Sequence, residues 1–141
     1  MTNRVFIDAN VLIYAATGQE ADPDKFERAN GILGEAQFGI STQVVGEFVK
    51  NVRDTKKMFA PLSEHEVHEW LDRLFVFPVI SIDRNIIERA MYFQVRYKIN
   101  YWDGQILAAA EQFQADTLYS EDLKHGENYS GIMCINPFTI N

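Results

Sequence analysis

A lone cysteine, Cys134, has nothing to pair with inside the chain. An intramolecular disulfide and a cysteine-rich zinc site are therefore excluded. Its neighbours Ile132, Met133 and Ile135 put it on a buried strand, where a thiol behaves as a small hydrophobe, in keeping with a reducing cytoplasm. Long apolar runs are missing too: none approaches the roughly 18 residues of a membrane span. Near the N-terminus Asp8 and Asn10 interrupt the apolar stretch that a secretory signal would need. These absences predict a soluble cytoplasmic protein. There is no internal repeat, low-complexity tract or Gly/Ser linker, so the 141 residues read as one domain, 1–141. A hydrophobic content of 47% suffices for a single core.

Positive charge is also scarce. Thirteen Lys and Arg against 20 Asp and Glu give a formal net charge of -7, which by itself argues against broad, non-specific nucleic-acid binding. That argument weakens if several of the acids face bound cations. The basic residues are unevenly spread: Lys50, Arg53, Lys56 and Lys57 fall in one short stretch. The stretch reads as a solvated helix face running into a loop, or as a rim that contacts phosphates.

Apolar strands alternate with longer amphipathic segments. Strands are expected at 4–8, 38–41, 78–81, 116–120 and 131–135. Between them helices are expected over 10–17, ending near Gly18, from Asp22-Pro23 to Glu35, and over 42–53 after a Ser41 or Thr42 cap. Further helices follow a Ser63-Glu64-His65-Glu66 capping box to Leu74, an Asp83 cap over 84–98, and an Asn100 cap over 101–114. A loop with Pro61 spans 54–62. This alternation predicts an α/β fold: a central parallel sheet of about five short strands with helices on both faces. In such sheets ligands bind beyond the carboxyl ends of the strands.

Four acids stand where that edge would present them: Asp8, Glu47, Asp103 and Asp122. Asp8 ends the apolar run Val5-Phe6-Ile7, and Asp122 lies just past the strand 116–120. Glu47 borders the apolar stripe Val44, Val45, Phe48 and Val52, and Asp103 lies in the first turn of its helix, where the backbone dipole favours a carboxylate. Each also has a plain reading as a cap, a surface charge or a loop acid. Glu121 competes with Asp122 as a ligand. Asn10 either caps a helix or orients Asp8; Ser120 is a turn hydroxyl or a donor supporting the acids. Together the four point to a shared cation, because two carboxylates about 4 Å apart repel by about 4 kcal/mol at an effective dielectric of about 20. Mg²⁺ or Mn²⁺ removes that cost through oxygen ligands.

Other signals fail. His65 and His68 are three residues apart, whereas a zinc-protease helix needs them four apart; they read as a solvated face. His125 reads as a surface-loop residue. Tyr101 and Trp102 read as packing residues in preference to base-stacking platforms.

The segments Phe6-Ile7-Asp8-Ala9-Asn10-Val11-Leu12, Gln43-Val44-Val45-Gly46-Glu47-Phe48, Tyr101-Trp102-Asp103 and Leu118-Tyr119-Ser120-Glu121-Asp122-Leu123 resemble the four acidic motifs of PIN-domain nucleases. Their order and the chain length most resemble VapC-type toxins of toxin–antitoxin pairs. The resemblance implies that Asp8, Glu47, Asp103 and Asp122 bind Mg²⁺ or Mn²⁺, with Asn10 and Ser120 as polar helpers. It implies an endoribonuclease that hydrolyses RNA phosphodiesters to 5′-phosphate and 3′-hydroxyl ends, a homodimer, and neutralisation by a cognate antitoxin. Gly104 stands where a small residue, often Ala, is usual, and is expected to loosen its helix slightly. Two other readings are an acidic module that only binds a metal or a partner, and a phosphatase with Asp8 as nucleophile. The latter generally wants a second acid two residues on, where this chain has Asn10.

Overall fold

The computed structural model describes residues 4–35 and 37–139. Its elements run β1 (Val5–Ile7), α1 (Ala9–Ala21), α2 (Pro23–Glu35), β2 (Phe38–Ser41), α3 (Thr42–Val52), α4 (Glu64–Leu74), β3 (Val79–Ile80), α5 (Arg84–Tyr97), α6 (Tyr101–Gln112), β4 (Thr117–Tyr119), β5 (Asn128–Tyr129) and β6 (Ile132–Ile135). The strands form one sheet in the order β3-β2-β1-β4-β6-β5. Every pairing is parallel except β5 with β6. Among the described residues there are thus six strands, one more than the sequence suggests.

The extra strand, β5, belongs to a hairpin. Ser130 and Gly131, the two residues between β5 and β6, have φ of 54° and 99°. Positive φ at both central residues is what a tight two-residue hairpin turn of matching twist demands. A two-residue strand that starts with Asn has no periodicity to announce it; the Ser-Gly pair is its only mark.

Helix ends follow local chemistry. Ser41, Ser63, Asp83 and Asn100 each accept a backbone N–H three residues on, and Ser63 with Glu66 completes a capping box. The first helix continues past Gly18 to Ala21, then stops at Asp22. Gly18 does not end it because it serves packing there: a Cβ at this position would come within 3.2 Å of Phe26 Cβ on α2.

β1 is central, and Val5, Phe6 and Ile7 are all buried, as expected for a parallel strand covered on both faces. Helix α1 packs on α2 and α3, α5 packs on α6, and α6 lies against β2 and β6. The fully buried side chains Phe6, Phe38, Phe48, Phe93, Leu12 and Leu107 lie at the heart of this core. Burying such a side chain contributes roughly 1.5–3 kcal/mol. The chain leaves β1 toward β2 and β3, then returns to β4 on the other side of β1. The sheet therefore has a topological switch between β1 and β4, the place where an open parallel sheet forms a crevice at its carboxyl edge.

Candidate active site

Asp8 and Ser120 meet at that switch. The ladder pairs Ile7 with Tyr119, and Asp8 N–H donates to Tyr119 O at 3.0 Å. The next step brings the Ser120 hydroxyl to Asp8 Oδ2, to which it donates at 2.7 Å. The other oxygen, Asp8 Oδ1, accepts from Ala9 N at 2.7 Å, so this candidate site residue is also a helix cap. It is 1% exposed. Burial pushes its carboxyl up to about 7, helped by the charges of Asp122 and Glu47 and opposed by the bonds from Ser120 and Ala9.

Asp122 is tied to the same strand ends. Its N–H donates to Ser120 Oγ at 3.1 Å, and Asn10 Nδ2 donates to its Oδ2 at 3.3 Å. Asn10 Oδ1 accepts from Glu121 N at 3.4 Å. Asn10 therefore holds the segment after β4, orienting Asp122 in place of Asp8. Glu121 turns away into a different partnership. Lys25 Nζ bonds its carboxylate at 2.6 Å and Tyr14 OH donates to it at 3.0 Å; Lys25 also lies over the Tyr14 ring. Of the two adjacent acids, Asp122 is the one without a basic side-chain partner among the described residues. Lys25 and Tyr14 are not legible in the sequence as site neighbours, because Glu121 lies 96 and 107 positions away from them.

Glu47 and Asp103 reach the site from helices. Asn100 caps α6 and donates its side-chain amide to Asp103 Oδ2 at 2.8 Å. Asp103 is half-buried; burial raises its pKa, as does the charge of Asp122, with Asn100 lowering it and Glu47 raising it. Glu47 accepts from Gln43 Nε2 at 3.1 Å. Asp8 and Asp103 thus each feel both Asp122 and Glu47. Cys134, buried on β6, registers the same field: burial first, then Asp8, Asp103 and Asp122, push its thiol up to about 12.

The acids converge electrostatically but do not form a closed cage. No group of three His, Cys, Asp or Glu side chains among the described residues stands close enough to share one ion. Each acid is instead held by its own neutral partner: Ser120, Asn10, Asn100 or Gln43. That spacing is what mutual repulsion favours. In donor type and charge the set suits a hard divalent cation.

The remaining candidates are placed as follows. Lys50, Arg53, Lys56 and Lys57 are all exposed. Lys50 lies one turn beyond Glu47 on α3, and Asp54 accepts from the backbone N–H groups of Lys56 and Lys57 in the turn that follows. His65 and His68 lie on an exposed face of α4, opposite Glu69 and Glu64. His125 is exposed and its Nδ1 accepts from Asn136 N. Trp102 differs from expectation: it is 61% exposed, while Tyr101 packs on the core. Trp102 stands in the first turn of α6, ahead of the continuously buried run Gly104–Ala110.

The PIN domain profile matches residues 5–129. This chain belongs to the PIN domain family. No curated protein matches it in sequence. Among solved structures, this PIN domain is similar to a toxin–antitoxin complex from Klebsiella pneumoniae, at 23% identity and TM-score 0.70 over 96% of this chain and 99% of that one. It is similar to Mycobacterium tuberculosis VapC20, described as a sarcin-ricin loop cleaving toxin, at 17% identity and TM-score 0.65 over 84% and 89%. It is also similar to FitAcB from Neisseria gonorrhoeae, at 18% identity and TM-score 0.64 over 96% and 99%. At these identities the likeness is one of fold. In this PIN domain Gly104 is more than a tolerated small residue. A Cβ there would come within 2.6 Å of Ala90 O, so α6 carries glycine where α5 crosses it.

Proposed function

We propose that this PIN domain is a Mg²⁺- or Mn²⁺-dependent endoribonuclease acting in the cytoplasm as the toxin of a toxin–antitoxin pair. The observation that carries the reading is Asp8. A carboxyl 1% exposed, with a pKa pushed up to about 7 among other acids, sits at the switch point of a parallel sheet. Placing a carboxylate there is unfavourable unless a cation compensates it. VapC20, which shares the fold, is described as cleaving the sarcin-ricin loop.

By donor chemistry Asp8, Glu47, Asp103 and Asp122 would hold the metal, drawn closer together than they stand here, where among the described residues no three are placed to share one ion. A bound divalent ion would supply a low-pKa water and neutralise charge on the phosphate and the leaving oxygen. The chain's own part is positional. Ser120 fixes Asp8 Oδ2 and the Asp122 backbone; Asn10 holds the Asp122 carboxylate; Asn100 restrains Asp103. Lys50, Arg53, Lys56 and Lys57 would contact RNA phosphates beside the acids, offsetting the formal charge of -7. A cognate antitoxin and a second copy of the chain are the proposed protein partners; the Klebsiella structure is itself a toxin–antitoxin complex.

The test is cleavage of structured RNA by purified protein with Mg²⁺ or Mn²⁺, against EDTA and against Asp103→Asn. The variant keeps its fold and loses at least about 100-fold in rate, more than removal of an outer supporting group typically costs. Undiminished cleavage in EDTA or in Asp103→Asn overturns the proposal.

A further inference from the structure

Among the described residues four polar side chains are buried: Asp8, Ser41, Gln105 and Ser120. Asp8 and Ser120 belong to the acidic site, and Ser41 caps α3 through Val44 N. Gln105 is 5% exposed and does neither. It sits in the otherwise apolar buried face of α6, beside Ile106, Leu107 and Ala108. A buried amide needs its hydrogen bonds satisfied, and those of Gln105 form one line. Tyr101 OH donates to Gln105 Oε1 at 2.8 Å. Gln105 Nε2 donates to Gln43 Oε1 at 2.7 Å. Gln43 Nε2 donates to Glu47 Oε1 at 3.1 Å and to Trp102 O at 3.2 Å.

The direction of the line is forced from its far end. Glu47, when ionised, and the Trp102 carbonyl can only accept, so Gln43 must turn its NH₂ toward both. Its oxygen then faces Gln105, which must present its own NH₂. The oxygen of Gln105 is left for the tyrosine hydroxyl. One amide therefore joins the Glu47 carboxylate on α3 to the backbone next to Asp103 on α6, and a buried second amide fixes the first.

We propose that Gln43 and Gln105 are positioning residues that act as a unit, holding Glu47 at a set orientation and distance from Asp103 for cation binding. The inference rests on the metal-dependent reading above. Groups that orient ligands from behind typically control metal affinity by about 10- to 100-fold. Neither glutamine needs to touch the ion.

The experiment is calorimetric Mn²⁺ titration of the metal-free protein at fixed pH, without RNA, for wild type, Gln43→Met, Gln105→Met and the double variant. Methionine keeps the length of the side chain and removes both hydrogen-bonding ends. Each single variant weakens Mn²⁺ binding about 10-fold. The double variant is no weaker than Gln43→Met alone, because a unit broken once loses little when broken again. An unchanged affinity in Gln105→Met overturns the inference, whether or not its metal-free melting temperature falls. So do independent losses that multiply to about 100-fold in the double variant. If Gln105→Met does not fold, Tyr101→Phe replaces it in the same cycle under the same criteria. A wild type that binds no Mn²⁺ removes the metal-dependent reading and this inference together; a wild type that binds while the cycle is additive removes the inference alone.

Discussion

Ser120 Oγ stands 2.7 Å from Asp8 Oδ2 and 3.1 Å from Asp122 N, so a single hydroxyl joins the first and last acidic segments. It donates to one and accepts from the other. Ser120→Ala removes both bonds. Since the hydroxyl lowers the Asp8 pKa, the variant's Asp8 titrates above about 7. The proposed cation binding, which would need the carboxylate, then moves to higher pH. Mn²⁺ affinity near neutral pH is expected to fall about 10-fold, and the gap from wild type should narrow as pH rises. Calorimetric titrations at several pH values check this; a deficit that stays constant with pH contradicts it.

Asp8 also makes stability depend on pH in an unusual sense. Its carboxyl is raised from 3.8 to about 7 on folding, so the folded state keeps a proton that the unfolded chain releases. Stability from this group is fully present below about pH 4 and is lost as pH rises toward about 7. The full change is about 4 kcal/mol. Urea unfolding in EDTA across that range should show wild type losing stability with pH relative to Asp8→Asn, which has no proton to lose. Parallel curves for the two proteins would refute the assignment. Added Mg²⁺ should restore stability at the alkaline end, where the carboxylate is charged.

Much of this arrangement is legible in the sequence because the signals are local. Val5-Phe6-Ile7 followed by Asp8 combines a buried strand with a charge at its end, and Ser63 with Glu66 spells out a helix start. Parallel order, and with it the meeting of Asp8 and Ser120 just past the ends of β1 and β4, follow from the alternation of strands and helices. What escapes the sequence is non-local. Gln105 looks like one polar residue in a helix until Gln43, 62 positions earlier, is brought beside it. Glu121 and Asp122 are indistinguishable as neighbours; the sheet separates them by giving one to Lys25 and the other to Asn10. Trp102 reads as core by type, yet it is exposed in the first turn of α6, ahead of the buried run. Gly104 reads as a weak point in a helix, and only the crossing with α5 reveals why it is glycine.

Gly104 gives a prediction in which two effects oppose. Replacing it with alanine should favour helix α6 by about 1 kcal/mol from propensity alone. The added Cβ would lie 2.6 Å from Ala90 O, a backbone atom that moves only with α5. Overpacking of that kind typically costs about 1–3 kcal/mol. The packing term wins, and Gly104→Ala lowers the urea midpoint with an unchanged slope. A raised midpoint would show that α5 shifts freely, and would remove packing as the reason for glycine at this position.

The basic stretch supplies a test of substrate binding that leaves the acids untouched. Lys50, Lys56 and Lys57 are exposed, so replacing all three with glutamine should leave the melting temperature nearly unchanged. If they touch phosphates, RNA binding weakens at low salt. The slope of log affinity against log salt then shrinks by about 0.7 for each single-strand phosphate that is no longer neutralised. Mn²⁺ affinity measured without RNA stays at the wild-type value, because none of the three bonds to an acid of the site. Cleavage should then fail through a raised KM with kcat retained at saturating RNA. Unchanged binding and an unchanged salt slope would mean that the segment is only a solvated helix end, and that RNA approaches the acids from another side.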